Sequence, residues 1–361
     1  MRTQGFRVTF GFTLVLFCPF TFSAERMESY SGVRQMGMGG AVIATVNDET
    51  ALLSNPAALG KLRDTFVTIF DPEVEGNLNV ERTLGVNFYK ASDPQFVLDS
   101  IERDPDDRVH LKTQVFPSII FPNFGIGLHG NYVMDAKLDS VNSKYEYNYR
   151  NDWSAVAGLN FRLFSGRLKI GANAKYTNRG EVKRTDLDPA ATDLSLKDLI
   201  SEGVGISSDV GMIFTMPTVW LPALAVVWRD AGDTKYNVQQ GMFNSTTEFP
   251  DSVKNSLDVG LAVFPIHSNN FRSSWTVELR DVLTEDAEAE PVMRRIHTGF
   301  ELNYADALFF RGGMNQRYWT AGFEIAMFNY QLQAATYGED VGTADLPEED
   351  RRYVLKFSYR F

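Results

Sequence analysis

Arg162, Lys169, Lys175, Arg272, Glu278, Arg280, Arg295, His297, Glu301, Arg311, Glu324 and Lys356 alternate with apolar residues along extended stretches of the sequence. Charges of opposite sign on one face of adjacent strands can pair across the sheet. They can also hold an anionic head group such as a carboxylate. An unpaired buried charge is costly, so pairing is the first role expected of such a set. His297 lies near Arg295 and Glu301 and could act as a base oriented by Glu301. A lumen hydrogen-bond network suits it better, because catalysis requires a nucleophile, a base and an orienting group brought together. No nucleophile motif occurs in the sequence, and we read the chain as a non-enzyme. The histidines at 110, 129, 267 and 297 form no short metal-ligand pair, so neither metal nor cofactor is implied. Gly125 to Gly130 spells Gly-x-Gly-x-x-Gly, but a dinucleotide site needs that motif between a strand and a helix. Here it falls within a strand pattern, and its glycines are read as space for a neighbouring segment.

The elements that must carry these residues are strands. Trp153, Ala155, Ala157, Leu159, Phe161 and Leu163 share one face of an extended chain, with Asn160 and Arg162 opposite. Leu168 to Thr177, Phe271 to Leu283, Ile296 to Tyr304 and Trp319 to Ile325 repeat the pattern. Arg351 to Phe361 alternates Tyr353, Leu355, Phe357, Tyr359 and Phe361 against Arg352, Lys356 and Arg360. Periodicity alone leaves open a soluble sandwich or a membrane barrel, since the polar face is the outside of one and the lumen of the other. Aromatics make up 13% of 361 residues, and no stretch after the N-terminus has the roughly 18 apolar residues of a membrane helix.

The N-terminus reads as a secretory leader. Arg2 and Arg7 are basic, Val8 to Phe22 is apolar, and Thr21 to Ala24 offers small residues for cleavage. Cys18 is the only cysteine and lies within the leader. The formal net charge is −11, and loss of Arg2 and Arg7 makes the chain more acidic still. That balance excludes nonspecific nucleic-acid binding as a function class. Export, the terminal aromatic strand and strand length together favour a barrel in the outer membrane of a Gram-negative-type cell. The closing strand with its terminal Phe resembles the end of bacterial outer-membrane barrels, and the resemblance implies that Tyr359 and Phe361 form the signal read by the barrel-assembly machinery, with outer-membrane lipid around the wall.

Fifteen candidate strands can be drawn, including a short one over 83–90. Single-chain bacterial barrels normally have an even number, so we expect fourteen. Counting back from a periplasmic C-terminus puts long loops outside and short turns inside. Two of those loops, over 94–103 and 194–202, read as short helices. Residues 31–62 do not alternate. Gly37, Gly39 and Gly40 permit tight backbone geometry, and Asp48, Asn55 and Pro56 punctuate the stretch beyond them. This gives an expected organisation of leader 1–24, lumen hatch or plug 25–62, and barrel 63–361.

Met38-Gly39-Gly40-Ala41, Asn47-Asp48-Glu49 and Asn55-Pro56-Ala57-Ala58-Leu59 resemble the N-terminal region of the FadL-like outer-membrane barrel superfamily. The C-terminal blocks also resemble its PorV-type and TraF-like branch. Together these blocks cover about a quarter of the chain. The resemblance implies an all-β, fourteen-stranded transmembrane antiparallel barrel with an N-terminal plug. It implies passive transport of hydrophobic small molecules such as long-chain fatty acids, with Gly37, Gly39, Gly40, Asp48, Asn55 and Pro56 near the gate. The competing expectation is a PorV-like barrel that binds or hands over a secreted protein partner.

Overall fold

The computed structural model describes residues 28–105, 107–244, 246, 248–283, 291–343 and 346–361. The expected leader lies outside them. Fourteen antiparallel strands close into a barrel in which each pairs with its sequence neighbours. Strand β1 runs Phe66–Phe70 and, past a break, Glu73–Asn77. Strand β2 runs Val109–Val115 and Ser118–Phe121. Then come β3 (Phe124–Asp139), β4 (Lys144–Leu163), β5 (Leu168–Leu187), β6 (Ser201–Thr215) and β7 (Ala223–Arg229). The second half comprises β8 (Ser256–Val263), β9 (Phe271–Leu279), β10 (Ile296–Tyr304) and β11 (Leu308–Asn315). Strands β12 (Tyr318–Ala326), β13 (Tyr330–Asp340) and β14 (Glu349–Arg360) complete it. Both halves of β1 pair with β14, which closes the wall.

Burial is inverted relative to a soluble protein. On β4 the outward Trp153, Leu159 and Phe161 are 48%, 46% and 64% exposed, while the intervening Asp152, Ser154 and Asn160 are buried. Apolar side chains outside and polar ones inside is the pattern of a membrane barrel. Exposed aromatics mark the rims of the belt: Trp153, Trp319 and Tyr353 on one side, Tyr304, Phe328 and Phe361 on the other.

The strand expected over 83–90 does not form. Helix Leu78–Thr83 and a 3-10 turn Gly85–Lys90 occupy that stretch, followed by helix Pro94–Ile101. The second half of β1 forms instead, past Pro72. Alternation over four or five residues does not distinguish a strand from an irregular helix, and Gly85 (φ +52°) breaks the extended chain. Asp93 caps the third helix by accepting from Gln95 N and Phe96 N. The helix expected in 194–202 is a single turn, Leu196–Leu199.

Two prolines interrupt the wall. Pro72 divides β1, and Pro117 divides β2; neither has an N–H for the ladder. Thr68 pairs with Ser118 and Glu73 with Gln114, so Ile69–Pro72 and Val115–Pro117 face each other without ladder pairs.

Candidate functional site: the lumen and the break in its wall

Residues 28–62 run among the inward side chains. Gly37 and Gly39 meet the wall where it is also glycine, and Gly40 lies against His297, Asn315 and Arg280. A methyl on Gly37 would lie 3.2 Å from Gly322 Cα. Gly39 and Gly40 have φ of +65° and +85°, which only glycine adopts readily. Gly299 and Gly313 lie against the Met38 and Gly39 backbone, so side chains on either partner would separate segment and wall.

Side chains then fix the segment. Arg34 donates to both oxygens of Glu301, at 2.9 and 3.1 Å, and to Asp48 Oδ2 at 2.6 Å. Glu301 also accepts from Arg311 Nε at 2.7 Å, and Arg311 contacts Glu324. This interleaves a segment arginine with three wall residues of alternating charge. Glu278 accepts from Val42 N and Ile43 N at 2.9 and 3.1 Å, and Arg280 pairs with Glu278 at 3.0 Å and with Gly40 O. His297 Nδ1 lies 3.0 Å from Gly39 O and therefore carries the proton on that nitrogen. Thr320 donates to Gly37 O at 3.1 Å.

On the other side of the lumen the segment turns through the 3-10 helix Pro56–Lys61. Asn55 caps it by accepting from Ala57 N at 3.0 Å, while its amide donates to Ile43 O at 2.9 Å. Asn160 of β4 donates to Ala57 O and Asn173 of β5 to Leu52 O. Lys112 and Gln114 of β2 donate to Ser31 O. Burial lowers the Lys61 amine to about 7, helped by Arg34 and Lys169, and its nitrogen donates to Ala44 O and Val46 O.

The sequence-derived polar set separates into groups. Glu278, Arg280, His297, Glu301, Arg311 and Glu324 gather at the segment. Lys356 pairs with Asp71 at 3.1 Å, beside the wall break, and Lys175 pairs with Asp209 at 2.9 Å. Arg295 donates to Arg280 O and Asp281 O. Three residues sit where strands leave the lumen at short turns, and of these only Lys169 lies against the segment, at Gly60. Arg162 is exposed, Lys169 reaches back to Gly166 O, and Arg272 pairs with Asp306 at 2.5 Å.

A second buried network escaped the sequence reading. His110 lies between Asp135 at 2.7 Å and Glu75 at 3.0 Å, with Lys112 and Arg352 adjoining. Asp152 takes Arg179 at 2.7 and 2.8 Å. The sequence reading draws one strand over 65–71 and another over 124–134, so Glu75 and Asp135 lie just past their expected ends. Above them β3 to β5 and the loop residues 251–253, 341–343, 346 and 348 surround a cavity of about 720 Å³ that opens onto Asp135, Arg150 and Arg179 and carries Lys137, Lys144, Glu146, Glu181 and Lys183 on its walls.

At the wall break, Phe116 is buried and its amide donates to Asp71 Oδ1 at 2.6 Å. Ile69 and Phe70 are 57% and 56% exposed outside. Behind Phe116 lies an apolar core of Leu52, Leu59, Ile120, Val156 and Ile213. Gly127 carries no side chain where Phe116 packs; a methyl there would lie 2.6 Å from its ring. The break is therefore apolar on its outer face, and behind that face lie the Phe116 ring and the buried Asp71–Lys356 pair.

No family model matches the sequence, and no curated protein matches it. Solved structures do. The toluene transporter TodX of Pseudomonas putida is similar at 13% identity and TM-score 0.56, covering 93% of this chain and 99% of that one. The CymD monoaromatic hydrocarbon channel gives 10% and 0.55 over 94% and 98%. The toluene transporter TbuX of Ralstonia pickettii gives 12% and 0.50 over 95% and 100%. The likeness is one of fold: these channels and transporters share the closed antiparallel barrel described above.

Proposed function

We propose that the chain is a passive outer-membrane channel for hydrophobic small molecules, long-chain fatty acids among them, and that residues 28–62 act as its hatch. The observation that carries this reading is a wall break without ladder pairs, apolar on its outer face, in a barrel whose inward side chains bond to residues 28–62. Straight passage of water and ions is opposed by a segment bonded to the wall around its circumference. An apolar solute has another exit: between Ile69–Pro72 and Val115–Pro117, past Phe116, into lipid. Removing backbone pairing at that point lowers the cost of opening it, because no ladder hydrogen bonds have to break. The solved barrels of this fold include proteins titled as hydrocarbon channels and toluene transporters, which supports the same class of solute.

A test compares uptake of radiolabelled oleic acid and toluene by cells with and without the protein, alongside conductance in planar bilayers. Faster uptake with low basal conductance is expected. Equal uptake of both probes in the two cell types would overturn the reading. One observation favours a second role: the cavity between β3–β5 and the loops at 251–253 and 341–343 is lined by charges of both signs, a surface suited to a secreted protein partner. That role predicts no uptake and co-purification of an exported protein.

A further inference from the structure

The loop between β1 and β2 does not cover the barrel mouth. Leu84, Ala91, Val97, Leu98 and Ile101 pack against Leu111, Met134, Tyr145 and Tyr147, on the face of β2, β3 and β4 that points away from the lumen. Tyr145 and Tyr147 donate to Pro94 O and Ala91 O, each at 3.0 Å. The loop is thus clamped to the outside of the wall.

Its lower edge meets the lipid belt. Gly76 pairs with Tyr353, a residue of the outer aromatic rim, and with Leu111. A methyl on Gly76 would lie 3.4 Å from Val80 Cγ2, so the helix Leu78–Thr83 rests on the wall at rim height. Leu78 extends the outward row of Val74 and Gly76. Beyond the helix, Val86, Phe88 and Tyr89 are 85%, 49% and 68% exposed, and Leu78 is 63% exposed. Lys90 comes next, its amine 5.3 Å from the Phe96 ring centroid and 6.0 Å from that of Tyr89.

We infer that Leu78–Lys90 is an interfacial anchor, seated in the head-group layer of the outer leaflet. The continuity of its apolar edge with the belt identifies lipid as the occupant. Aromatic rings with an adjacent lysine are the side chains that partition to that layer, rings among the acyl boundary and ammonium at the phosphates. The anchor would hold β1 against the bilayer just outside the wall break. The inference rests on the membrane setting of the barrel and stands whether or not the barrel transports.

The test places an environment-sensitive fluorophore at Phe88→Cys in a Cys18→Ser background, in proteoliposomes. Val141→Cys, at the 87% exposed tip of the β3–β4 hairpin, is the water reference, and Trp275→Cys, in the belt, is the lipid reference. Each variant is first checked for the heat-dependent gel shift of an assembled barrel. Quenching at residue 88 by head-group-proximal nitroxide lipid, with weak quenching by iodide, is expected. Iodide quenching equal to that at residue 141 would overturn the anchor. So would protection from both quenchers, which would mean that protein covers the site.

Discussion

Arg34 and Glu301 are 267 residues apart in sequence and form a two-pronged ion pair in the lumen, at 2.9 and 3.1 Å. The pair joins the N-terminal segment to the wall through a bond that neither partner can lose cheaply. Removing one member of a buried pair leaves an uncompensated charge and costs about 3–5 kcal/mol. Arg34→Ala strands Asp48 and leaves Glu301 to Arg311 alone, so it is expected to loosen the segment without preventing barrel closure. Planar-bilayer recordings should show higher conductance and more frequent openings than wild type. Arg34→Lys keeps the charge but loses the fork, and should lie between the two. Wild-type conductance in Arg34→Ala would remove this pair from the barrier.

The glycine seam predicts a steric effect on the same segment. Gly39→Ala puts a Cβ on a left-handed residue whose surroundings are the backbones of β10 and β11. Strain of this kind costs about 1–3 kcal/mol. The variant is expected to assemble, to convert to the unfolded gel band at a lower temperature, and to leak small solutes. Gly166→Ala, at a φ of +82° but with open space around it, serves as the control that strains a turn without touching the segment.

Acid should release the segment. Burial raises the Asp48 carboxyl, but Arg34 beside it, with the Thr50 hydroxyl and amide, outweighs burial and holds it at about 2. A carboxyl whose folded pKa lies below its unfolded value contributes stability that is present above about pH 4 and fades as pH falls through about 2. Conductance is expected to rise as pH is lowered through that window, and Asp48→Asn should flatten the rise. An unchanged pH profile in Asp48→Asn would contradict this role.

The chain end carries an assembly prediction. Phe361 N donates to Val67 O at 3.0 Å, Val67 N donates to Phe361 O at 3.1 Å, and the Tyr359 and Phe361 rings lie 5.0 Å apart. The final residue therefore stitches β14 to β1 at closure. Phe361→Asp is expected to lower the amount of barrel in the membrane, while barrels that do assemble conduct normally. Normal membrane levels would sink the idea that this aromatic is the assembly signal.

Much of this architecture was legible in the sequence because one face of nearly every strand meets lipid. The Trp153 to Leu163 row and the Tyr353 to Phe361 row need no tertiary information to assign. The fourteen-strand total required the parity rule, and its breakdown into strands was wrong at 83–90. There a bulged β1 continues past Pro72, and the apolar residues of Gly85–Lys90 alternate only by chance of a helical loop. The segment–wall contacts were half legible. Glu278, Glu301 and Arg311 declared themselves by lying inward, but their partners are backbone groups of Val42 and Gly40 or the side chain of Arg34, which sequence spacing does not reveal. The buried network of His110, Asp135 and Glu75 was hidden because β3 to β5 extend well beyond the apolar belt, where alternation of lipid-facing residues no longer marks the strands.

The route through the wall is tested most directly at Phe116. Phe116→Trp enlarges the ring that closes the break against Gly127, where no room remains. Uptake of radiolabelled oleic acid is then compared in cells carrying wild type, Phe116→Trp or no barrel, at matched levels of heat-modifiable protein. Wild type is predicted to exceed the barrel-free cells, and Phe116→Trp to fall back to their level with bilayer conductance unchanged. Wild-type uptake in Phe116→Trp would contradict a route past this ring.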